Sequence, residues 1–267
     1  MRLDVAGHET YAYTGTRPLD RGRSAVVFVH GAANDHSVWA LQSRYFAHHG
    51  FDVLAVDLPG HGRSAGAPLA SVEAIADWVP RLLDAARIER ATCVGHSLGA
   101  LAVLETASRH AERVEGIALL GPAVPMPVSE TLLDAARAND PVAYELIVGW
   151  SHSTARLIGG NPVPGMWMAG TAFRLLNRSQ PDALYADLKA CAAYARGLEA
   201  ASAVRCPALL VLAERDLMAP AKASQALIAT LADKRVVTLL DCGHAMMAEQ
   251  PDAVLDALRA FVPRATH

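Results

Sequence analysis

Short apolar runs alternate with amphipathic segments along most of this chain of 267 residues. The runs contain few polar residues, as is typical of strands in a parallel sheet that helices cover on both faces. We predict strands at Ala25–Val29, Val53–Val56, Ala91–Val94, Gly116–Leu120, Ala208–Leu212 and Val236–Leu240. Helical spacing of apolar residues predicts helices at Ser37–His49, Ser71–Arg87, Leu98–His110, Ala221–Ala232 and Pro251–Phe261. This alternation predicts an α/β protein with a doubly wound, mostly parallel sheet, to which residues 1–14 add an antiparallel hairpin at one edge.

The alternation stops between Leu120 and Pro207, where no convincing strand occurs. Prolines and glycines interrupt this span, and its remaining segments are compatible with helices. We therefore interpret residues 121–206 as a helical cap inserted into one core domain, which consists of residues 1–120 and 207–267. The helix-compatible segments are Ser129–Ala138, Pro141–Val148, Met166–Leu176 and Pro181–Ala195.

The most specific motif is Gly95-His96-Ser97-Leu98-Gly99, which lies between a predicted strand and a predicted helix. A serine at the apex of a sharp strand-to-helix turn needs small neighbours, and the two glycines allow the strand and the helix to approach each other. The turn also lies at a helix N-terminus, where free amides and the helix dipole favour negative charge. This motif predicts that Ser97 is a nucleophile.

A nucleophilic serine needs a general base, because its alkoxide does not form unaided near neutral pH. Among the 11 histidines, His244 is the best candidate, since it follows the last predicted strand, at the sheet edge where ligands bind in parallel sheets. Asp216 follows the preceding strand and could orient the imidazole. Glu214 is an alternative acid, but it lies closer to the strand. The order Ser97, Asp216, His244 is the serine–acid–histidine order of one particular fold.

Acyl transfer to a serine also needs an oxyanion hole, in which backbone N–H groups stabilise the developing charge. We predict the amides of Ala32 and Leu98, because Ala32 follows the first central strand and Leu98 follows Ser97. His30 opens the same turn as Ala32, and we expect it to hold the turn through hydrogen bonds to the backbone. The apolar residues that we expect to line a substrate pocket are Trp39, Met126, Trp167 and Met246.

Composition limits the partners of this chain. The net charge is −3 and no basic stripe occurs, so we expect no nucleic-acid partner. No apolar stretch is long enough to span a bilayer, and the first residues lack an apolar leader, so we expect no membrane insertion and a cytoplasmic location. The four cysteines and the histidines show no metal-ligand spacing, so we expect free thiols, no metal and no cofactor.

Five motifs together resemble the α/β-hydrolase superfamily over nearly the whole chain. They are His30-Gly31, the block Asp57–Ser64, the elbow Gly95–Gly99, the segment Glu214–Pro220, and Gly243-His244 followed by Glu249–Pro251. Within the superfamily, the chain is similar to small cap-bearing bacterial esterases, perhydrolases and C–C hydrolases. The resemblance implies an α/β-hydrolase fold in which Ser97, Asp216 and His244 form a catalytic triad.

These observations predict a serine hydrolase that cleaves a small, fairly hydrophobic carboxylic ester through an acyl-serine intermediate. Haloalkane dehalogenases and epoxide hydrolases of this fold use an aspartate at the elbow, and Ser97 excludes their chemistry. A C–C hydrolase, an acyltransferase or a perhydrolase on the same triad are alternatives, as is a ligand-binding protein without catalysis. We expect a small-molecule ester as the partner and a monomer or homodimer as the assembly.

Overall fold

A computed structural model of the protein describes residues 1–160, 165 and 167–263. Their strands form one sheet in the order β1-β2-β4-β3-β5-β6-β7-β8. The strands are β1 (Arg2–Val5), β2 (His8–Tyr13), β3 (Ala25–Val29), β4 (Asp52–Val56), β5 (Ala91–His96), β6 (Val114–Leu120), β7 (Ala208–Ala213) and β8 (Lys234–Leu239). Strand β2 runs antiparallel to β1 and β4, and the other neighbours pair in parallel. The predicted fold class and the edge hairpin are confirmed.

Helices cover both faces of the sheet. The helices of the two flanking layers are α1 (Ala40–His48), α2 (Val72–Ala86), α3 (Leu98–Arg109), α10 (Gln225–Thr230), α11 (Met246–Glu249) and α12 (Pro251–Arg259). The predicted helix at Ser37–His49 is divided, because a 3-10 turn at His36–Trp39 precedes α1. Ser71 begins α2 as its N-cap, since its hydroxyl accepts a hydrogen bond from the Ala74 N–H at 3.1 Å.

Strand β3 shows how one apolar run serves both layers. Its Val26 and Phe28 pack in the core on one face of the sheet, together with side chains of α1 and α12. Its Val27 and Val29 pack in the core on the other face, together with side chains of α2 and α3. Successive side chains of a strand point to opposite faces, so a central strand covered on both sides has to be apolar throughout.

Residues 121–206, called the insert below, connect β6 to β7 through helices. They are α4 (Glu130–Arg137), α5 (Val142–Ser151), α6 (Thr154–Leu157), α7 (Met168–Leu176), α8 (Ala183–Ala193) and α9 (Gly197–Ala203). Four correspond to predicted segments, whereas α6 and α9 were not predicted, and Met166 lies outside the described residues. Apolar side chains of α4, α5, α7 and α8 form a core of their own, which includes Leu132, Val148, Leu176 and Leu188.

None of the described helices combines the length and the apolar character needed to cross a bilayer.

Candidate active site

The two glycines of the elbow are required by backbone contacts. A Cβ atom on Gly95 would lie 2.1 Å from the Gly99 carbonyl oxygen, and one on Gly99 would lie 2.3 Å from the Val29 carbonyl oxygen. The first contact lets α3 fold back against β5, and the second lets α3 approach β3. The local prediction of a glycine-dependent strand-to-helix turn is confirmed.

Ser97 occupies the apex of this turn in a conformation that a serine rarely adopts. Its φ is 54° and its ψ is −116°, outside the allowed regions for residues other than glycine. The Ser97 N–H donates to the Leu120 carbonyl at 2.9 Å, which ties the apex to the neighbouring strand β6. Strain of this kind persists only where surrounding structure imposes it, and it occurs most often at functional sites.

His244 and Asp216 form a buried hydrogen-bonded pair. The His244 Nδ1 donates to the Asp216 Oδ2 at 2.7 Å, and each residue is only 4% exposed. The other oxygen of Asp216 accepts from the N–H groups of Met218 and Ala219 at 2.9 and 2.7 Å. Glu214, the alternative acid, instead accepts from a backbone N–H at 3.0 Å. The structure therefore pairs the histidine with Asp216.

The electrostatics of the pair favour an ionised Asp216. Burial alone would raise the pKa of this carboxyl group, but the charge and hydrogen bond of His244 and the Ala219 N–H outweigh burial, so the pKa is lowered. The second ring nitrogen of the histidine, Nε2, is buried and has no hydrogen-bond partner among the described residues. His244 and Ser97 both line one cavity. The arrangement therefore leaves one ring nitrogen of His244 without a partner, on a residue that lines the same cavity as the serine.

Three residues lie around the His244 loop in contacts that sequence reasoning missed, although His96 and Glu249 belong to quoted motifs. His96, next to the serine, donates from Nε2 to the His244 carbonyl at 2.9 Å. Burial and the nearby His244 lower the pKa of His96 to about 3, so its ring is neutral. Glu249 accepts from the Gly243 N–H at 3.1 Å. Gly121 has a φ of +58°, and a Cβ there would lie 2.9 Å from the His244 Cε1.

The same loop is also bonded to the insert. The Ala245 N–H donates to the Ser151 carbonyl at 2.7 Å. The buried Glu249 carboxylate accepts from the Ser153 hydroxyl at 2.6 Å and from its N–H at 3.2 Å. The position of His244 therefore depends on residues of the insert as well as on the sheet.

The turn after β3 supplies the first predicted oxyanion donor. Ala32 lines the cavity together with Ser97, and Leu98 is the first residue of α3. Within the described part of the chain, neither the Ala32 nor the Leu98 N–H donates a turn or cap hydrogen bond. His30 holds the turn as expected, since its Nδ1 donates to the Gly31 carbonyl at 2.8 Å.

The cavity over Ser97 has a volume of about 1010 Å³, at the upper end of the range for small-molecule sites. Helices of the insert form much of its wall. Its apolar lining residues include Met126, Val128, Leu132, Ile147, Trp150, Met168, Leu175 and Met247. Its polar lining residues include His152, Arg174 and Arg178. Arg174 lies on α7, and Arg178 follows the end of that helix.

Of the four predicted pocket residues, only Met126 lines this cavity. Trp39 was predicted wrongly, because it is fully buried in the core on one face of the sheet, with its ring centroid 5.2 Å from that of Phe28. Trp167 was also wrong, since it is 69% exposed and packs against Gly170 of α7. The prediction for Met246 was wrong for the same reason as that for Trp39, because its side chain is fully buried in the core.

The neighbour of Met246, Met247, lines the cavity instead. Consecutive residues at the start of a short helix point in different directions, so the adjacent side chain faces the site.

Among the described residues, one group of side chains has donor atoms close enough for a metal ion. Atoms of Asp35, His36 and Asp57 lie within 4.8 Å of one another. The Asp57 oxygens already accept from the N–H and Nδ1 of His36 at 2.7 Å each and from the Arg63 N–H at 2.8 Å. Asp35 caps the 3-10 turn through the Ser37 N–H at 2.8 Å. These bonds explain the group as a junction between two loops.

The comparisons with known proteins agree with this architecture. The sequence pattern of the alpha/beta hydrolase family matches residues 26–257. The chain therefore belongs to the alpha/beta hydrolase family, and it is an enzyme of the hydrolase class.

Individual relatives cover the chain to different extents. It is 31% identical over 227 residues to a pimeloyl-(acyl-carrier protein) methyl ester esterase of Chromobacterium violaceum, which covers 82% of this chain and 87% of that protein. It is 37% identical over 105 residues to the dihydrolipoyllysine-residue acetyltransferase component of the acetoin cleaving system of Cupriavidus necator, and this match spans 38% of the chain and 27% of that protein. The enol-lactonase of Burkholderia xenovorans LB400 has the same fold, with a TM-score of 0.85 and 24% identity. The match covers 98% of this chain and 99% of the enol-lactonase.

Proposed function

We propose that this protein is a serine hydrolase that cleaves a fairly hydrophobic carboxylic ester through an acyl-serine intermediate. The observation that carries the proposal is the buried His244–Asp216 pair, in which the second ring nitrogen of His244 has no hydrogen-bond partner among the described residues and His244 lines the same cavity as the strained Ser97. Such a pair is the arrangement that activates a serine hydroxyl and accepts its proton.

In the proposed reaction, the Ser97 oxygen attacks the ester carbonyl carbon while the His244 Nε2 takes the hydroxyl proton. The N–H groups of Ala32 and Leu98 stabilise the negative oxygen of the tetrahedral intermediate. The intermediate collapses when His244 passes the proton to the leaving alcohol, which yields the acyl-serine. Water then gives a proton to His244 and attacks the acyl carbon, and Ser97 leaves with that proton as the carboxylic acid forms. Asp216 orients the imidazole and stabilises its charged form in both halves of the cycle.

The cavity supports a substrate with a larger apolar part than the small ester expected from the sequence. Its volume of about 1010 Å³ and its largely aliphatic wall favour an acyl chain of medium length over an acetyl group. The ester chemistry also agrees with the name of the relative from Chromobacterium violaceum, which is 31% identical. We propose acyl chains of about six to ten carbons as the preferred range.

The test is turnover of p-nitrophenyl esters with acyl chains from two to twelve carbons. Ser97→Ala should lower kcat at least about 10³-fold, since the nucleophile is lost. A fluorophosphonate probe should label the wild-type protein at Ser97, as a mass increase on the peptide that contains it. Ser202→Ala is the matched control, because Ser202 is exposed on α9 and its hydroxyl donates to the Glu199 carbonyl of the same helix.

Each outcome of this test has a distinct meaning. Labelling at Ser97 and turnover that depends on Ser97 support the proposal, with the highest kcat/KM expected for the medium chains. Rates that increase with added alcohol and yield a new ester would favour an acyltransferase, and peracid formation with hydrogen peroxide would favour a perhydrolase. If the probe does not label Ser97 and no turnover depends on Ser97, the proposal is refuted. A ligand-binding protein without catalysis would then remain.

A further inference from the structure

Two buried histidines lie against each other beside the oxyanion turn, and they carry different numbers of protons. The rings of His30 and His61 are 5.0 Å apart. The His30 Nδ1 faces a carbonyl, so it donates, while its Nε2 accepts from the Leu58 N–H at 3.1 Å. One proton satisfies both contacts. Burial and the charge of His61 lower the pKa of His30 to about 4, so this ring is neutral.

His61 needs two protons to satisfy its contacts. Its Nδ1 lies 3.0 Å from the Pro59 carbonyl oxygen, and its Nε2 lies 2.9 Å from the Asp187 Oδ2. Both partners are acceptors, and only the imidazolium donates from both nitrogens. Burial alone would lower the pKa of His61, but Asp187, with smaller contributions from Pro59 and Asp57, raises it. His61 and Asp187 therefore form a buried ion pair.

Asp187 reaches this site from the insert, and it also binds the oxyanion turn. It lies on α8 and is 1% exposed. Its Oδ2 accepts from the Ala33 N–H at 2.8 Å, in addition to the His61 contact. Ala33 is buried with a φ of +52°, which a residue other than glycine adopts only where its surroundings impose it. The carboxylate thus fixes the peptide that follows Ala32.

We infer that Asp187 is a positioning residue that holds the Ala32 N–H in the orientation needed to stabilise the oxyanion, with the charged His61 as its counterion. The inference rests on the proposed function. Because the oxyanion exists only in the tetrahedral intermediate and its transition states, a displaced donor lowers kcat and leaves binding of the intact substrate nearly unchanged. The insert in this way controls chemistry as well as access.

The test compares two inhibitors on the wild-type protein and on Asp187→Asn. An alkylboronic acid forms a tetrahedral adduct on Ser97 and uses the oxyanion hole, whereas an ether of the same chain length fills the cavity without reacting. Loss of one oxyanion donor in other enzymes costs about 10²–10³ in kcat, so a displaced donor should cost about 10- to 100-fold. We expect this loss in kcat and in boronate affinity, with KM and the affinity for the ether within about threefold of wild type.

Two further variants complete the design. Asp134→Asn is the matched control, since Asp134 is an exposed aspartate of the insert whose partner is Arg137 on the same helix, and it should behave as wild type. Asp187→Glu retains the charge for His61 but displaces its oxygens by one methylene. Asp187→Glu should also lose affinity for the boronate and retain affinity for the ether. If Asp187→Asn does not fold, this variant tests the role of Asp187 in its place.

The outcomes separate this inference from the proposed function. Wild-type turnover that is unaffected by Ser97→Ala overturns both. Turnover that depends on Ser97, together with unchanged boronate affinity in the Asp187 variants, overturns only the role of Asp187. Equal losses for the boronate and the ether would also overturn it, because they indicate a general structural effect.

Discussion

Gly121→Ala tests whether the end of β6 determines the position of His244. The new Cβ atom would lie 2.9 Å from the His244 Cε1 and 3.0 Å from its Nδ1. Ordinary contact between carbon atoms needs about 3.5 Å, so the ring has to move by about 0.5 Å. A misplacement of about 1 Å costs about 10²-fold in rate, so we expect kcat to fall about tenfold.

The same substitution also has a cost in stability. Gly121 has a φ of +58°, and alanine in the left-handed region costs about 1 kcal/mol. That free energy lowers the Tm of a domain of this size by about 3 °C. The assay is steady-state kinetics on the preferred p-nitrophenyl ester, together with a thermal melt.

Gly50→Ala separates the effect of backbone strain from that of the contact with His244. Gly50 has a φ of +92°, and among the described residues no heavy atom outside its two chain neighbours lies within 4 Å of its Cβ position. This variant should lose a similar amount of Tm and retain wild-type kcat. The reasoning is refuted if Gly121→Ala retains full kcat, or if both glycine variants lose kcat equally.

Two further predictions concern the cavity wall and acid stability. Met247 lines the cavity and also packs in the core, so Met247→Ala should raise KM for long acyl chains about three- to tenfold and also lower Tm. The fully buried Met246→Ala should destabilise the fold by about 2–5 kcal/mol in denaturant titrations. Burial raises the pKa of Asp57, but hydrogen bonds from His36 and Arg63 outweigh it and hold the pKa below 3.8. The ionised Asp57 carboxylate therefore stabilises the folded state fully above pH 3.8, and this contribution is lost as the pH falls through the lowered pKa. The free energy of unfolding of Asp57→Asn should therefore decrease less steeply below about pH 4 than that of the wild type.

The central strands could be predicted from the sequence because burial on both faces leaves them almost wholly apolar. Strand β3 has the predicted bounds Ala25–Val29. The edge strand β8 begins at Lys234, two residues before the predicted start at Val236. It pairs only with β7, and its first residues, Lys234 and Arg235, are exposed and polar. The central strands β5 and β6 also extend two residues beyond their predicted bounds, to His96 and from Val114 respectively, so apolar runs locate a strand more accurately than they locate its ends.

The closeness of Asp216 to His244, and the presence of His244 and Ser97 at one cavity, could be predicted because all three residues follow the carboxyl ends of strands, and strand order brings such loops together. The pocket residues could not, because a tryptophan or methionine packs equally well in a core or on a cavity wall. Trp39 and Met247 show both outcomes. No sequence pattern indicated a role for Asp187, because its hydrogen bond with Ala33 joins residues that are 154 positions apart in the chain.

The bonds between the insert and the two core loops at the candidate active site have a consequence for protein engineering. Residues 121–206 connect two adjacent strands, and they resemble a module that could be exchanged between relatives to change substrate preference. Three of their residues, Asp187, Ser151 and Ser153, nevertheless bond backbone or side-chain groups of the core loops. A transplanted insert that lacks equivalent donors and acceptors would bring a new pocket to displaced loops at the candidate active site. Chimeras of this enzyme should therefore be designed around those three contacts first, and around the shape of the pocket second.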